Sequence, residues 1–367
     1  MHNYVLKTSE IVIKGKNRKF FEDILRKNIQ KKLKENLIDI KNLGGEFLVK
    51  TEKGALKDLK NILGISKIAK VSIFDNLDEV KEYLKKFPHK FKLKVKRADK
   101  NYFLTSKEIY EKIFYDLKEK IAKRGRELIL EYRDKKFYLG KIYKVFGGLP
   151  LGTSGEGLVL ISTGFDSPVA SFLMMKRGLK LIFLHFHSYP QTSMENIEKI
   201  KRLIKILNEY NLGSKLYLIN ILEIQRFYFQ KVPSQYLVIF YRRTMFRLAT
   251  KLAKELNIKA LITGENLGQV ASQTIENLKV IENASDLLIL RPLIGFNKQE
   301  IINLANIIGT KKTSELLGED CCSLFVPKHP KIKAKLEEVF KIEENIKADI
   351  LKLEELAYKN KELQEFN

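Results

Sequence analysis

A short loop, Ser162–Ser167, carries residue types that bind phosphate groups in proteins. Its sequence, Ser-Thr-Gly-Phe-Asp-Ser, lies between a predicted apolar strand and a predicted helix. Such a turn directs backbone N–H groups and the positive end of the helix dipole at one point. Gly164 allows the backbone to approach an anion, and Ser162 and Ser167 add hydroxyl donors. Asp166 suits a bound magnesium ion. The spacing alone is equally typical of an ordinary strand–helix turn capped by Asp166 or Ser167.

The loop differs from the Gly-x-x-x-x-Gly-Lys-Ser/Thr loop of kinases and GTPases, because no lysine follows Gly164 at the required position. It resembles the Ser-Gly-Gly-x-Asp-Ser loop of ATP pyrophosphatases. Those enzymes bind the pyrophosphate end of ATP and transfer AMP to a carbonyl oxygen.

The chain has two cysteines, Cys321 and Cys322, and they are adjacent. Two adjacent thiols exclude a disulfide scaffold, a cysteine-rich zinc site and an iron–sulfur cluster held by one chain. Low cysteine usage fits a reducing cytoplasm. The residues alone leave open whether the pair is structural or reactive.

Alternating strands and helices after Gly157 would position the loop. This alternation argues for an α/β fold with a doubly wound parallel sheet and helices on both faces. The tail, Ile332–Leu363, is predicted to be a helix. The predicted strands are Leu158–Ser162, Leu181–His187, Lys215–Ile221 and Ala260–Thr263, and the predicted helices are Ser167–Arg177, Met194–Glu209, Ser234–Leu256 and Asn297–Ile308.

The first part of the chain reads as two smaller α/β units, followed by a glycine-rich linker. Predicted strands are Tyr4–Leu6, Phe47–Val49, Ile68–Ile73, Phe91–Arg97, Glu127–Arg133 and Phe137–Phe146. Predicted helices are Arg18–Asn36, Ala55–Leu63, Leu77–Lys86 and Thr105–Arg124. We expect a hairpin around Asp134-Lys135 and a capping box of Thr105 with Glu108.

The excess of positive charge is concentrated in this first part. Residues 1–150 hold 38 Lys and Arg against 20 Asp and Glu, a net charge of +18 out of +24 for the 367 residues. Such a regional bias indicates an anionic polymer as partner, although a lysine-rich proteome would also raise the total. No stretch approaches the roughly 18 apolar residues of a membrane span, and Lys7, Glu10 and Lys14 interrupt any secretory pattern.

Motifs along nearly the whole chain resemble those of the tRNA 4-thiouridine synthetase family, which thiolates uridine 8 of tRNA. The matching segments are Ser9–Ile11, Lys14–Arg18, Arg97–Lys100, Leu104–Ser106, Gly147–Gly155, Ser167–Ala170, Met175–Gly178, His185–Ser188, Tyr241–Arg243, Thr263–Thr274, Arg291–Leu293 and Glu319–Cys322.

The resemblance implies an N-terminal ferredoxin-like domain (residues 1–72), a THUMP tRNA-binding domain (73–147), a linker (148–156) and an ATP-pyrophosphatase domain (157–367). It also implies that Asp166 is needed for adenylation, with Mg²⁺ bound through ATP. The implied ATP-binding residues are Leu160, Ile161, Ser162, Gly164, Ser167, His185, Phe186, Arg242, Gly264 and Gln273.

The family is expected to carry sulfur as a persulfide on a cysteine of the catalytic domain. Cys322 is the expected carrier, because its spacing to Pro327 resembles members with one cysteine here. Cys321 is then the neighbour that releases the sulfur, and a cysteine desulfurase or another donor supplies it. The sequence ends too soon after Cys322 for a rhodanese domain, so we expect the form without one, and not thiazole synthesis.

Two residues depart from the family pattern. Thr163 stands where glycine is usual, and a β-branched residue would weaken ATP binding if that backbone were left-handed. Glu46 places a negative charge where arginine is typical in the first domain.

RNA contacts are expected from a cluster of cations in the first two domains, with the shape of the acceptor stem recognised through phosphate and 2′-OH groups. The candidates are Lys14, Lys16, Arg18, Lys94, Lys96, Arg97 and Lys100. The expected function is a cytoplasmic, ATP-dependent tRNA sulfurtransferase without membrane contact. The alternatives are a tRNA-binding protein with a degenerate ATP site and another tRNA-modifying enzyme with this loop. The oligomeric state stays open, with a homodimer as one option.

Overall fold

The computed structural model describes residues 1–316, 325 and 329–367. These residues form two compact units, Met1–Pro150 and Leu151–Asn367. None of the helices in this part of the chain combines the length and hydropathy needed to span a bilayer.

A seven-stranded sheet forms the N-terminal unit, in the order β2-β3-β1-β4-β7-β6-β5. Its pairs are antiparallel, except that β5 runs parallel to β6. The strands are β1 (His2–Thr8), β2 (Leu37–Asn42), β3 (Glu46–Thr51), β4 (Ile65–Phe74), β5 (Phe91–Arg97), β6 (Arg126–Arg133) and β7 (Lys136–Lys144).

Four helices of this unit pack apolar side chains on the sheet. They are α1 (Arg18–Leu33), α2 (Leu56–Lys60), α3 (Leu77–Lys85) and α4 (Ser106–Leu117). One core cluster contains buried residues of α1 and α2, and a second contains those of α3 and α4. The predicted capping box of Thr105 and Glu108 begins α4, but the helix ends at Leu117 and not at Arg124. The β6–β7 hairpin turns at Asp134 and Lys135, both with positive φ.

The C-terminal unit contains a six-stranded sheet in the order β12-β11-β8-β9-β10-β13. Its strands are β8 (Glu156–Leu160), β9 (Lys180–His187), β10 (Ser214–Asn220), β11 (Ala260–Ile262), β12 (Leu288–Leu290) and β13 (Glu362–Phe366). The first five run parallel, and β13 is antiparallel to β10. The chain builds outward from β8 to β10, then returns to place β11 beside β8. The carboxyl ends of β8 and β11 are therefore the topological switch point, where ligands bind in doubly wound sheets.

Helices connect these strands and cover the sheet. They are α5 (Asp166–Lys176), α6 (Met194–Asn211), α7 (Leu222–Lys231), α8 (Leu237–Glu255), α9 (Ile275–Glu282), α10 (Lys298–Ile308), α11 (Lys311–Ser314) and α12 (Leu336–Lys359). The buried face of α8 is the largest helical part of the main core cluster. The parallel α/β class predicted from the sequence is thus confirmed.

Several elements differ from the sequence prediction. β2, α7, α9 and β12 were not predicted, and the tail forms α12 followed by a strand rather than one helix to Leu363. Charged and apolar residues alternate only weakly along β13. The strand is stabilised by antiparallel pairing with β10, from the pair Ser214–Phe366 to the pair Leu218–Glu362. Pairing with a distant strand is a tertiary effect that a local pattern does not reveal.

Candidate active site

A cavity of about 580 Å³ lies at the carboxyl ends of β8, β9 and β11, beside α8. It collects residues from five segments that are far apart in sequence. The expected ATP-binding residues that line it are Leu160, Ile161, Ser162, Ser167, His185, Phe186, Arg242, Gly264 and Gln273, and Asp166 lines it as well. Gly164 is not among the lining residues.

The loop after β8 is held by its own serines. Ser162 N donates to Ser167 Oγ at 2.8 Å, and the two hydroxyl oxygens lie 3.0 Å apart. Ser167 is buried, whereas Ser162 is half-buried and faces the cavity. The two serines therefore hold the loop together at the N-terminus of α5, and Ser162 is the one that is more exposed to the cavity.

Thr163 does not obstruct the cavity. Its side chain is buried, it is absent from the cavity lining, and its φ is not positive. The condition under which this residue would weaken ATP binding, a left-handed backbone, is therefore not met.

The carboxylate of Asp166 is held at the first turn of α5 by two donors from other elements. Lys298 Nζ lies 2.9 Å from Oδ1, and Gln269 Nε2 donates to Oδ2 at 3.0 Å. Among the described residues, no group of three His, Cys, Asp or Glu side chains could hold a metal ion by itself. A single carboxylate fits Mg²⁺ only together with other ligands, because the ion is usually bound by one or two carboxylates, substrate phosphate oxygens and water.

Gly264 and Gly164 have different surroundings. A Cβ at Gly264 would lie 2.6 Å from Ser167 N and 2.8 Å from Asp166 C, so the end of β11 packs directly on the loop backbone. A Cβ at Gly164 would meet only Ser162 Oγ, at 3.8 Å. Packing thus requires glycine at position 264 and leaves position 164 open.

A buried carboxylate, Glu265, orients the arginine that faces the cavity. Glu265 Oε1 accepts from Arg242 at 2.5 Å, and Oε2 accepts from Arg291 Nε at 2.6 Å and from Thr263 Oγ1 at 2.9 Å. Burial raises the pKa of Glu265, but Arg242 and Arg291 outweigh burial and hold that pKa below its ordinary value. The glutamate is therefore ionised at neutral pH and fixes Arg242 in place.

Two further polar side chains, His185 and Gln273, line the cavity. His185 Nδ1 lies 2.9 Å from the carbonyl oxygen of Ile161, which links the ends of β8 and β9. Gln273 is 8% exposed, and the described part of the chain contains no hydrogen-bond partner for its Oε1 atom. A buried acceptor without a donor is costly.

Sequence reasoning missed several residues of this site. Glu265 and Gln269 belong to a segment that the motif comparison singled out, but their partners were not foreseen. Lys298 is separated from Asp166 by 132 positions, and only the packing of α10 on α5 brings them together. No local signal in the sequence indicates that pair.

Cys321 and Cys322 lie outside the described residues. The residues on either side of that stretch are anchored at the site. Ser314 Oγ donates to the carbonyl oxygen of Gly164 at 3.1 Å, and Pro330 and Lys331 line the cavity.

The cations proposed for RNA binding lie in the N-terminal unit, and they differ in their exposure and in their contacts with other residues of this unit. Lys16, Lys96 and Lys100 are exposed. Lys94 pairs with Glu127 at 2.8 Å, Arg18 pairs with Glu22 at 2.6 Å, and Lys14 lies over the ring of Phe21. Arg97 donates to the carbonyl oxygens of Tyr102 and Leu104, both at 2.9 Å, so it organises the loop before α4.

Glu46, the other departure from the family pattern, is neutralised within this unit. It pairs with Lys7 at 3.5 Å and with Arg133 at 2.8 Å, and the same two cations pair with the buried Glu131. Lys7 on β1 reaches Glu131 on β6 across β4 and β7. The negative charge therefore closes a network across the sheet and does not face a ligand alone.

Comparison with known proteins agrees with this layout. A family profile described as "Thiamine biosynthesis protein (ThiI)" matches residues 152–348, and the "ThiI ferredoxin-like domain" matches residues 3–69. A probable tRNA sulfurtransferase of Caldanaerobacter subterraneus subsp. tengcongensis is 38% identical over 93% of this chain and 94% of its own. One from Halothermothrix orenii is 36% identical over 98% of both chains.

A solved structure matches the whole chain. It is that of a 4-thiouridine synthetase in complex with RNA with bound ATP, with a TM-score of 0.89, 34% identity and coverage of 100% of both chains. A second structure, of PH1313 from Pyrococcus horikoshii, is 23% identical with a TM-score of 0.65 and shares the fold. With a profile over more than half of its residues and relatives matched almost end to end, the chain belongs to the ThiI family.

Proposed function

We propose that this protein is a tRNA sulfurtransferase that uses ATP to convert uridine 8 of tRNA into 4-thiouridine. The observation that carries the proposal is the cavity at the switch point, which unites the serine-rich loop with Arg242 and Gln273. Membership of the ThiI family supports the same activity, since its relatives are named probable tRNA sulfurtransferases. The full-length structural match, a 4-thiouridine synthetase with bound ATP, supports ATP as co-substrate.

In this proposal the loop after β8 binds the phosphates of ATP. The N–H groups at the start of α5, the hydroxyl groups of Ser162 and Ser167, and the Arg242 guanidinium supply the donors. Leu160, Ile161, His185 and Phe186 would contact the nucleoside, and the unsatisfied Oε1 of Gln273 would accept from it. Residues at the ends of β8 and β9 and an arginine held by Glu265 suit the accurate placement that a reacting phosphorus requires.

Asp166 is the residue that would hold Mg²⁺ against the phosphates. The ion would neutralise phosphate charge, and Lys298 and Gln269 keep the carboxylate in position. Lys298 adds a positive charge at the same point, which also favours the bound triphosphate.

The reaction that fits these groups has two steps. Uridine O4 attacks the α-phosphorus of ATP, pyrophosphate leaves, and the N3 proton is released. A hydrosulfide nucleophile then attacks C4, and AMP departs with the electrons of the C4–O bond while the S–H proton moves to N3. Adenylation thus turns a poor leaving group, oxide, into AMP.

We place the sulfur on Cys322 as a persulfide, loaded by a cysteine desulfurase or another donor. The Cys321 thiolate would attack the inner sulfur, forming a disulfide with Cys322 and releasing hydrosulfide. A dithiol reductant would restore the pair. The anchored residues on both flanks of this stretch support delivery of sulfur to the same cavity.

The N-terminal unit is the proposed tRNA-binding surface, because it carries a net charge of +18 and three of its exposed lysines, Lys94, Lys96 and Lys100, lie on the edge strand β5 and in the loop after it. Since both tRNA and ATP are cytoplasmic, we propose the cytoplasm as its location.

The test is mass spectrometry of an unmodified tRNA transcript incubated with the protein, ATP, Mg²⁺ and sulfide. We expect a mass increase equal to the exchange of one oxygen for sulfur, located at uridine 8, with one AMP per sulfur. A transcript with cytidine at position 8 and the Asp166→Asn variant are the matched controls, and both should gain no sulfur.

Folded protein that binds tRNA but releases neither AMP nor pyrophosphate would contradict the proposal and support a binding protein with a degenerate ATP site. Sulfur found at another uridine would instead support a different tRNA-modifying enzyme.

A further inference from the structure

One hydrogen bond joins the short helix α11 to the loop Ser162–Ser167, which is called the phosphate loop below. Ser314, its last residue, is buried, and its Oγ donates to the carbonyl oxygen of Gly164 at 3.1 Å. Its backbone N–H continues the helix by donating to the carbonyl oxygen of Thr310 at 2.9 Å. This hydrogen bond therefore joins the loop at Gly164 to the end of α11.

A buried lysine of α6 also binds the chain at the end of α11. Lys199 on α6 is 5% exposed, and its ammonium donates to the carbonyl oxygens of Ser314 at 3.0 Å and Leu316 at 2.6 Å. Carbonyl groups at a helix C-terminus lack helical partners and carry partial negative charge, so they suit an ammonium group. Burying that charge costs several kcal/mol unless such bonds form, so this placement is specific.

These bonds lie where the chain leaves the phosphate site for the cysteine pair. Leu316 is the last described residue before the stretch that contains Cys321 and Cys322, and Pro330 and Lys331 line the cavity after it. An adenylated uridine is open to attack by water as well as by sulfur. The sulfur-bearing segment must therefore be placed accurately relative to the loop, because small displacements of a reacting group are costly.

We propose that Lys199 and Ser314 are positioning residues that hold the chain at residues 314–316, directly before the cysteine pair, against the phosphate loop and so couple sulfur transfer to adenylation. The inference rests on the proposed function and assigns these residues no contact with substrate. Loss of either tie leaves adenylation intact and lets water consume the adenylated tRNA.

The test measures 4-thiouridine formed and AMP released in one reaction, with sulfur supplied by a cysteine desulfurase and cysteine and with a dithiol present to reduce the cysteine pair after each transfer. For Ser314→Ala and Lys199→Met we expect the ratio of thiouridine to AMP to fall by about tenfold to a hundredfold, while AMP release continues. Lys199→Arg, which keeps the charge and the donors, should restore most of the ratio. Thr313→Ala, one residue before Ser314 and half-buried, is the matched control and should behave as the wild type.

Excess sulfide as donor separates the outcomes, because free hydrosulfide does not depend on the cysteine segment. With sulfide, the wild type and both variants should give the same ratio. If thiouridine and AMP fall together with either donor, the residues are only structural and the inference is overturned. If the wild type itself makes no thiouridine with either donor, the proposed function fails first.

Discussion

Most charged side chains around the cavity are paired with each other before a ligand binds. The carboxylate of Glu265 accepts hydrogen bonds from both Arg242 and Arg291. The carboxylate of Asp166 accepts hydrogen bonds from Lys298 and Gln269. Side chains held in this way lose little conformational entropy on binding, so more of the interaction energy remains for affinity. The residue types were visible in the sequence, whereas these pairings depend on the fold.

At the level of single residues, His187 makes a pH-dependent contribution to stability. It is 8% exposed at the end of β9, where burial and the neighbouring His185 lower its pKa to about 4 from the ordinary 6.5. The folded state favours neutral His187, so its contribution is complete above pH 6.5 and is lost as the pH falls towards 4. This lowering of the pKa corresponds to a contribution of roughly 3 kcal/mol at most to the free energy of unfolding.

The measurement is urea unfolding of the wild type and His187→Asn between pH 7 and pH 4. Asparagine retains an acceptor for the N–H of Tyr189, which donates to His187 Nδ1. We expect the wild type to lose more free energy of unfolding than the variant over this range. The exposed His329, changed to asparagine, is the control for replacing a histidine by asparagine at another position. Equal pH dependence in wild type and His187→Asn would refute the assignment.

At the level of elements, the prediction was most accurate for helices and strands whose apolar residues recur at regular spacing. The strand Phe91–Arg97 has the predicted bounds and alternates buried and exposed residues, and the loop at residues 162–167 joins β8 to α5 as expected. β12 has three residues and β13 is rich in charge, so neither presents a readable pattern. The predicted α4 was too long because the residues after Leu117 have the same lysine-rich composition as the helix. In the structure, Lys120 lies beyond the helix and donates to the carbonyl oxygens of Lys85 and Phe87.

The contact between β11 and the phosphate loop gives an element-level prediction. Gly264→Ala places a Cβ 2.6 Å from Ser167 N, so the loop, the start of α5 or the strand end must move. We expect a loss of about 1–3 kcal/mol in the free energy of unfolding, together with loss of measurable ATP binding.

Gly164→Ala is the matched comparison, because its Cβ would find 3.8 Å of space and no left-handed φ is required there. It should keep the thermal stability of the wild type, and weaker ATP binding in this variant would place a phosphate at that backbone. Differential scanning calorimetry and isothermal titration with ATP measure both effects. A Gly264→Ala protein with wild-type stability and affinity would show that the packing argument is wrong.

At the level of the whole molecule, positive charge is divided unequally between the two units. The N-terminal unit carries +18 of the +24, while residues 151–367, with 30 basic and 24 acidic side chains, carry +6. Composition alone predicted this division, because counting charges needs no structure. The structure adds which charges are free, since Lys94 and Arg97 have partners within the protein and Lys96 and Lys100 are exposed.

This division predicts the salt dependence of tRNA binding. Each phosphate contact releases counterions, so the logarithm of the association constant falls with the logarithm of salt concentration by about one unit per contact. Replacing Lys94, Lys96 and Arg97 together should lower tRNA affinity and flatten that slope by up to about three units. Because Arg97 also organises the loop before α4, Lys96→Gln with Lys100→Gln is the cleaner variant, and it should flatten the slope by up to about two units without changing stability.

Three exposed lysines of α12, Lys347, Lys352 and Lys359, provide a control of equal charge in the other unit. Their replacement by glutamine removes the same charge as the triple variant but lies outside the proposed RNA surface, so the slope should stay at the wild-type value. Binding is measured by fluorescence anisotropy with labelled tRNA over a series of KCl concentrations. If the α12 variant flattens the slope as much as the Lys94, Lys96 and Arg97 variant, net charge drives binding and the N-terminal unit holds no dedicated tRNA surface.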